Sequence, residues 1–164
     1  MNIRIGQGID FHRLEKGLSL WLGGVNIPSG KGCVAHSDGD VLLHAICDAL
    51  LGSAGLRDIG FYFPDTDHTF KNIKSTILLE KTINLIREKG FSVINIDSTV
   101  CLESPKIASY IPEMRNVISK LVGTEPEDIS IKATTTEKLG FTGREEGVVA
   151  LAVVLVSKSL REAQ

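Results

Sequence analysis

Asp10, His12 and His44 are of the residue types that ligate metal ions. Asp10 and His12 follow the strand-like segment that opens the chain, and in an extended strand alternate residues project to the same side. They can therefore reach one ion if the strand continues. A carboxylate and two imidazoles suit zinc or another divalent transition metal, and three protein ligands leave a fourth position open, as in catalytic sites.

His44 belongs to a predicted helix that carries a polar row beside its apolar stripe. Apolar residues recur at helical spacing over 41–50, Asp40 can cap the start, and Gly52 ends the helix. Asp40, His44 and Asp48 follow at i, i+4 and i+8 and share one face. Asp48 could accept a hydrogen bond from a ligating imidazole and fix its tautomer. Alternatively, His44 is a histidine without a ligand and the aspartates form a solvated face.

A polar segment near the end of the chain combines three threonines with a carboxylate and a lysine. These residues are Thr134, Thr135, Thr136, Glu137 and Lys138. Hydroxyls and a lysine suit phosphate oxygens, but a carboxylate beside them would repel phosphate unless a divalent cation lay between. The segment therefore predicts Mg²⁺ or Mn²⁺ between Glu137 and a diphosphate. Alternatively, the threonines only stabilise a strand.

Two further segments allow ligand contacts. The loop 56–67 is rich in turn formers, and it could place Asp58 and Asp65 beside a ligand's hydroxyl groups, although Asx turns explain the same residues. Ser104 can cap a helix that starts at Pro105, so that free backbone N–H groups beside Lys106 receive an anion. An ordinary capped helix is the alternative.

Composition limits the classes of protein that fit. The 164 residues are 43% hydrophobic with a formal net charge of -2, which suits one sizeable core and a single domain over 1–164. Lysine and arginine are dispersed, so no nucleic acid partner is expected. Three cysteines without Cys-x-x-Cys spacing indicate a reducing compartment. We expect a cytoplasmic protein with no leader and no membrane span, because the longest apolar run, 148–156, is too short.

The elements that must position these groups follow from apolar periodicity. Strands are predicted over 2–9, 18–27, 91–102, 129–133 and 147–156, and Gly23-Gly24 marks a bulge or turn within the second. Helices are predicted over 41–51 and 75–89, and from Pro105 to Gly123 with a break at Pro112. The last strand is apolar on both faces, as in a central strand covered by helices or by another subunit.

Together, four motifs resemble the 2-C-methyl-D-erythritol 2,4-cyclodiphosphate synthase family. They are Gly8 to His12, Ala35 to His44, Asp58 to Asp67, and Lys132 to Arg144. The resemblance covers essentially the whole chain, and the last motif is highly specific. It implies an α+β fold (an α/β sandwich): one compact domain with a mixed β-sheet covered by helices. It also implies a homotrimer with its sheets around a central axis and its active sites between subunits.

The implied reaction converts 4-diphosphocytidyl-2-C-methyl-D-erythritol 2-phosphate to the cyclic diphosphate and CMP. Asp10, His12 and His44 would hold zinc or a similar divalent ion, and Glu137 the second ion. His36 and Thr135 would stabilise the transition state. The substrate contacts would be Ser37, Asp58, Gly60, Phe63, Asp65, Asp67, Leu102, Pro105, Lys106, Ile107, Ala108, Thr134 and Thr136. Phe141 and Arg144 would line a further ligand region near the trimer axis.

The sequence departs from the family pattern at Gln7 and at Glu103-Ser104, which affects details of the cytidine pocket. Two other functions share the same ligands. One is a metal-dependent phosphohydrolase of nucleoside diphosphate derivatives, in which water is the nucleophile. The other is a non-catalytic trimeric binding module in which zinc only joins strand to helix.

Overall fold

A long strand, β1 (Asn2–Lys16), carries the first two candidate ligands, and the rest of the fold packs around it. The structure is a computed structural model, and it describes residues 2–158. The other strands are β2 (Leu20–Leu22), β3 (Val25–Ile27), β4 (Lys31–Cys33), β5 (Phe91–Cys101), β6 (Ile129–Thr134) and β7 (Gly147–Lys158). The helices are α1 (Val41–Ser53), α2 (Ile59–Tyr62), α3 (Ser75–Glu88), α4 (Ile111–Val122) and α5 (Gly140–Gly143).

Five strands form one mixed sheet in the order β4-β1-β7-β5-β6. Only the β5–β6 pair is parallel, and the other neighbours in this sheet are antiparallel. The strands β2 and β3 form a separate hairpin. The described residues thus form a single α+β domain with a mixed sheet and helices, as the resemblance implied.

The three long helices, α1, α3 and α4, cover one face of the sheet. α1 packs on β1 and β7, α3 lies against β5, and α4 lies against β6. Val148, Ala150, Ala152, Val154 and Val156 of β7 point into this layer and are fully buried. Apolar side chains at every second position of β7 thus bury one face of the strand. β7 is the central strand of the five, as its apolar sequence predicted.

The opposite face of the sheet carries exposed apolar side chains. Its exposed members are Ile3, Ile5, Ile9 and Phe11 of β1 and Leu151 and Val153 of β7. Ile5 is 70% exposed and Phe11 is 56% exposed. A contiguous apolar face of this kind marks an interaction surface more often than a solvated one.

Three elements differ from the sequence-based expectation or decide between its alternatives. β1 continues past residue 9 to Lys16, because β7 pairs with it as far as Arg13. The region 18–27, where Gly23 and Gly24 allowed either a bulge or a turn, is a hairpin of two short strands with both glycines in the turn at positive φ. No helix starts at Pro105; α4 starts at Ile111, and Pro112 lies in its first turn, where the missing N–H costs nothing.

None of the helices within residues 2–158 is both long and apolar enough to cross a membrane.

Candidate active site

Asp10 and His12 project from the helix-covered face of β1. Their partners across the ladder are Ala150 and Val148 of β7, whose side chains point into the same layer. The prediction depended on the strand reaching beyond residue 9, and the structure shows that it does. Both side chains therefore face α1.

His44 meets them from α1. Oδ2 of Asp10 lies 3.1 Å from Nδ1 of His44 and 3.1 Å from Nδ1 of His12. The two imidazole rings are tilted, with centroids 5.1 Å apart. The ligand atoms of the three residues all lie within 4.8 Å of one another. Asp10, His12 and His44 could therefore hold a metal ion.

The donor set and its burial fit a divalent transition metal. Nδ1 of His12 is buried and makes no hydrogen bond within the described part of the chain. One carboxylate oxygen and two imidazole nitrogens are ligands that zinc accepts, and three of them leave room for a fourth. A cation would compensate the buried nitrogen and carboxylate, which otherwise lose solvation.

Asp10 and His12 each shift the pKa of the other. Burial raises the pKa of Asp10, but the imidazoles of His12 and His44 lower it more, so that its pKa lies well below the usual value. Burial lowers the pKa of His12, but Asp10 outweighs this effect and raises that pKa above its usual value. The carboxylate is thus ionised at neutral pH, as a metal ligand must be.

The three residues of the predicted polar row, Asp40, His44 and Asp48, have different partners. Asp40 is fully buried and caps the helix, with the backbone N–H groups of Gly23, Gly24 and Leu43 donating to its carboxylate. It therefore points away from the ligand group. Asp48 accepts a hydrogen bond from the backbone N–H of Ile59 at 2.7 Å.

The predicted contact between Asp48 and His44 is wrong in the described structure. Nδ1 of His44 faces Asp10, and Nε2 faces Ser37 at 3.2 Å and Ser75 at 2.9 Å. Both ring nitrogens are therefore occupied by residues outside α1. An i, i+4 pair shares a helix face, but here each side chain turns to its own tertiary partner.

The ligand group opens into a cavity of about 550 Å³. Among the residues proposed from the sequence, His36, Ser37, Gly60, Phe63 and Asp65 also line it. Nε2 of His36 is buried and has no hydrogen-bond partner among the described residues. The cavity combines the metal ligands with hydroxyl, carboxylate and aromatic groups, so it can receive a polar ligand of nucleotide size.

Asp58 and Asp67 are helix caps beside this cavity. Asp58 starts α2 and accepts a hydrogen bond from the backbone N–H of Phe61 at 3.0 Å. Asp67 starts the 3-10 turn His68–Phe70 and accepts from both the backbone and the hydroxyl of Thr69. Their carboxylates thus fix the two turns between which Phe63 and Asp65 lie.

A second cavity, of about 100 Å³, is lined by other residues that were predicted to contact the substrate. Its lining includes Leu102, Pro105, Lys106, Ile107, Thr134 and Thr135. Ala108 lies just beyond, at the start of a 3-10 turn. Because α4 starts only at Ile111, the predicted anion site at a helix N-terminus near Lys106 is absent from the described structure. The Lys106 side chain remains at the cavity.

The segment after β6 is a tight turn. The hydroxyl of Thr135 donates to Oε1 of Glu137 at 2.9 Å, and the hydroxyl of Thr136 donates to the carbonyl oxygen of Leu139. Lys138 Nζ lies 2.9 Å from Oε1 of Glu103, whose side chain is 8% exposed. Within the single chain, Lys138 therefore pairs with a carboxylate next to the threonines, and its side chain stays 76% exposed.

Phe141 and Arg144 follow on α5 and just after it. The ring of Phe141 lies 6.3 Å from that of Phe11 on the open face of the sheet. The guanidinium of Arg144 pairs with Glu146 at 2.9 Å. Phe141 thus lies next to the exposed apolar face, and neither residue lines either cavity.

The sequence did not indicate two residues that matter here. Asp38 and Ser75 form a hydrogen-bonded pair behind His44. Asp38 belongs to the motif Ala35 to His44, but nothing in the sequence connected it to a serine at the start of a helix 37 residues later.

Comparisons with known proteins agree with this geometry. The model of the YgbB family matches residues 3–157. A relative from Bacteroides thetaiotaomicron, named 2-C-methyl-D-erythritol 2,4-cyclodiphosphate synthase, is 58% identical over 96% of this chain and 99% of its own. A relative from Syntrophomonas wolfei with the same name is 51% identical over 96% of this chain and 100% of its own.

Solved structures show the same fold. The bifunctional IspDF from Campylobacter jejuni matches with a TM-score of 0.93 and 45% identity, over 96% of this chain and 43% of that longer chain. The Plasmodium falciparum IspF CDP complex matches with a TM-score of 0.84 and 34% identity, over 97% of this chain and 98% of that chain. The chain therefore belongs to the YgbB family, and its relatives in these comparisons are 2-C-methyl-D-erythritol 2,4-cyclodiphosphate synthases.

Proposed function

We propose that the protein converts 4-diphosphocytidyl-2-C-methyl-D-erythritol 2-phosphate to 2-C-methyl-D-erythritol 2,4-cyclodiphosphate and releases CMP. The observation that carries the proposal is the convergence of Asp10, His12 and His44 at the wall of the larger cavity. The 58% identity to a relative of that name supports the same activity. Such an enzyme makes an isoprenoid precursor by the non-mevalonate route, and we expect it in the cytoplasm.

The reaction requires no nucleophile from the protein, because the substrate supplies it; the protein must position the reacting groups. An oxygen of the substrate's own 2-phosphate, ionised at neutral pH, attacks the β-phosphorus. The bond from that phosphorus to the bridging oxygen breaks, and CMP leaves with the oxygen. The residues of the chain must hold the attacking oxygen in line with this bond, which lowers the entropic part of the barrier.

Side chains of the larger cavity can do this. We assign His36 and Ser37 to the phosphate that reacts, because both line the cavity beside the ligand group. Donors fixed in place before the reaction stabilise charge that develops in the transition state. Phe63 closes one side of the same cavity through an edge-to-face contact with Phe70, at 5.4 Å between ring centroids.

Two sets of residues would hold metal ions for this chemistry. Asp10, His12 and His44 would hold zinc or a similar divalent ion, which would supply positive charge to polarise the β-phosphate, and Glu137 would hold Mg²⁺ or Mn²⁺, which would supply positive charge to the diphosphate. Glu137 fits the second role because its carboxylate is exposed beside Thr135, at the end of the turn that follows β6.

We assign the cytidine end of the substrate to the smaller cavity. The relative from Plasmodium falciparum is described as a CDP complex. In this chain Lys106 supplies a positive charge at that cavity, and Thr134 and Thr135 supply hydroxyls. Apolar contacts from Leu102, Pro105 and Ile107 suit a planar base.

A homotrimer would bring the two cavities together. His36 lines the larger cavity and Thr135 the smaller one, although both are assigned to the transition state. A site between neighbouring subunits would join the larger cavity of one to the smaller cavity of the next. The exposed apolar face of the sheet supports this assembly, because packing three sheets around an axis would bury it.

Product analysis tests the proposed function. The protein, loaded with zinc and Mg²⁺, is incubated with the cytidylated substrate, and the phosphorus products are identified by ³¹P NMR. The proposal predicts CMP and a cyclic diphosphate in equal amounts. A linear phosphate product would show that water is the nucleophile and that the protein is a phosphohydrolase. Metal binding without any product would favour a non-catalytic zinc module.

A further inference from the structure

Ser75 is a buried polar residue next to the metal ligands. It is the first residue of α3, its side chain is fully buried, and it lies 31 positions from His44 in the chain. Its hydroxyl oxygen lies 2.9 Å from Nε2 of His44. Its backbone N–H and its hydroxyl both donate to the carboxylate of Asp38. These three residues form a chain of hydrogen bonds that ends at the candidate metal site.

The direction of each hydrogen bond follows from counting protons. An ionised carboxylate only accepts, so the single hydroxyl proton of Ser75 goes to Asp38. The oxygen of Ser75 can then meet His44 only as an acceptor, and the proton between them belongs to Nε2 of the imidazole. In a neutral ring the other nitrogen, Nδ1, is consequently the one with a free lone pair. That nitrogen lies 3.1 Å from Oδ2 of Asp10.

We propose that Ser75, held by Asp38, is a positioning residue that fixes His44 with its proton on Nε2 and its Nδ1 lone pair directed at the metal. This inference rests on the metal site of the proposed function. Residues that accept the second N–H of a ligating histidine orient the ring and raise its basicity, and their loss typically weakens metal binding about 10- to 100-fold. Asp48, which the sequence suggested for this role, has another partner.

The same arrangement has a consequence for Ser37. Its hydroxyl oxygen lies 3.2 Å from Nε2 of His44 and also accepts a hydrogen bond from the backbone N–H of Gly39. Because Nε2 carries a proton, it cannot accept the hydroxyl proton of Ser37. That proton is free to point into the larger cavity, which Ser37 lines. Ser75 thus also prepares Ser37 to donate to an anionic ligand.

Zinc affinity tests the proposal in the full-length protein. Competition with a chelator gives the dissociation constant for zinc in the unaltered protein, in Ser75→Ala and in the control Ser119→Ala. Ser119 is 2% exposed and its hydroxyl donates to the carbonyl oxygen of Asn116 in α4, so the control also removes one buried hydroxyl from a helix. We expect Ser75→Ala to bind zinc about 10- to 100-fold more weakly and Ser119→Ala to match the unaltered protein.

A second readout detects the hydrogen bond itself. In imidazole ¹H–¹⁵N spectra of the zinc-loaded, unaltered protein, His44 should show zinc on Nδ1 and a solvent-protected proton on Nε2. In Ser75→Ala that proton should exchange faster. Zinc on Nε2, or an affinity in Ser75→Ala within about twofold of the unaltered protein, would overturn the proposal. If the unaltered protein binds no zinc, the metal site itself fails, and the proposal fails with it.

Discussion

Gly8 of β1 lies directly against Ala45 of α1. A Cβ atom at Gly8 would stand 2.1 Å from the carbonyl oxygen of Ala45, and one at Gly6 would stand 1.9 Å from the carbonyl oxygen of Ala49. The two glycines therefore let the helix backbone lie against the strand backbone. Asp10 follows Gly8 by two residues on the same face, and His44 precedes Ala45, so this close approach brings the ligands together.

Replacing Gly8 should separate the strand from the helix. In Gly8→Ala the added methyl meets backbone atoms that cannot rotate away, and we expect a loss of at least about 2 kcal/mol in the free energy of unfolding. Urea unfolding of the metal-free protein measures this free energy. Gly30→Ala is the matched control, because a Cβ there meets nothing within 4 Å. Equal stability of the two variants would contradict this account.

Asp40 should matter to folding and not to metal ligation. Asp40→Ala leaves the backbone N–H groups of Gly23, Gly24 and Leu43 without their acceptor. We expect a loss of about 2 kcal/mol or more. Asp128→Ala, which removes an exposed carboxylate with one long contact of 3.4 Å to the N–H of Glu125, should change stability far less. A stable Asp40→Ala that had lost only its zinc would show that Asp40 is a ligand.

Zinc binding should depend on pH through His12. The pKa of His12 lies above its usual value because of Asp10, whereas that of Asp10 lies well below its own usual value. As the pH falls, His12 therefore takes up a proton that zinc must displace, while Asp10 stays ionised. Apparent affinity should decrease by about tenfold per pH unit for each displaced proton, starting above about pH 6.5. Chelator competition, corrected for protonation of the chelator, measures the zinc affinity at each pH. An affinity that stays the same down to about pH 6 would contradict this prediction.

Mixed oligomers of two variants test the proposed homotrimer with active sites between subunits. His44→Ala removes a residue of the larger cavity, and Lys106→Ala a residue of the smaller one. Each variant alone should be nearly inactive while keeping its oligomeric state. After unfolding and joint refolding in equal amounts, about a quarter of the sites should combine an intact His44 with an intact Lys106 from the neighbour. If activity does not rise above that of the separate variants, each site lies within one subunit.

The sequence predicted the ligand group because its signals are local. Asp10 and His12 share a strand face, and His44 lies on a strongly periodic helix, so residue type and spacing indicated the right residues. The mixed sheet and the helices covering it also agree with the structure. The grouping of the predicted residues into two cavities was not visible from spacing, because it depends on how distant segments pack.

The errors concern tertiary partners. Asp48 and His44 share a helix face, but Asp48 bonds to Ile59 and His44 to Ser75, and no period in the sequence indicates either contact. Nothing in the sequence indicated a packing role for Gly6 and Gly8. Their role became clear only when α1 was seen to lie against them. Pro105 is preceded by a good capping residue, yet the helix begins six residues later at Ile111.

A crystal structure of the zinc-loaded protein with cytidine 5′-diphosphate, with the metal located by anomalous scattering, tests whether Asp10, His12 and His44 share one metal ion that keeps a position open for substrate. The account predicts one zinc ion about 2.0–2.2 Å from Oδ2 of Asp10 and from one imidazole nitrogen each of His12 and His44, with a phosphate or water oxygen as the fourth ligand. Zinc bound elsewhere, or a fourth protein ligand that closes the site, would contradict it.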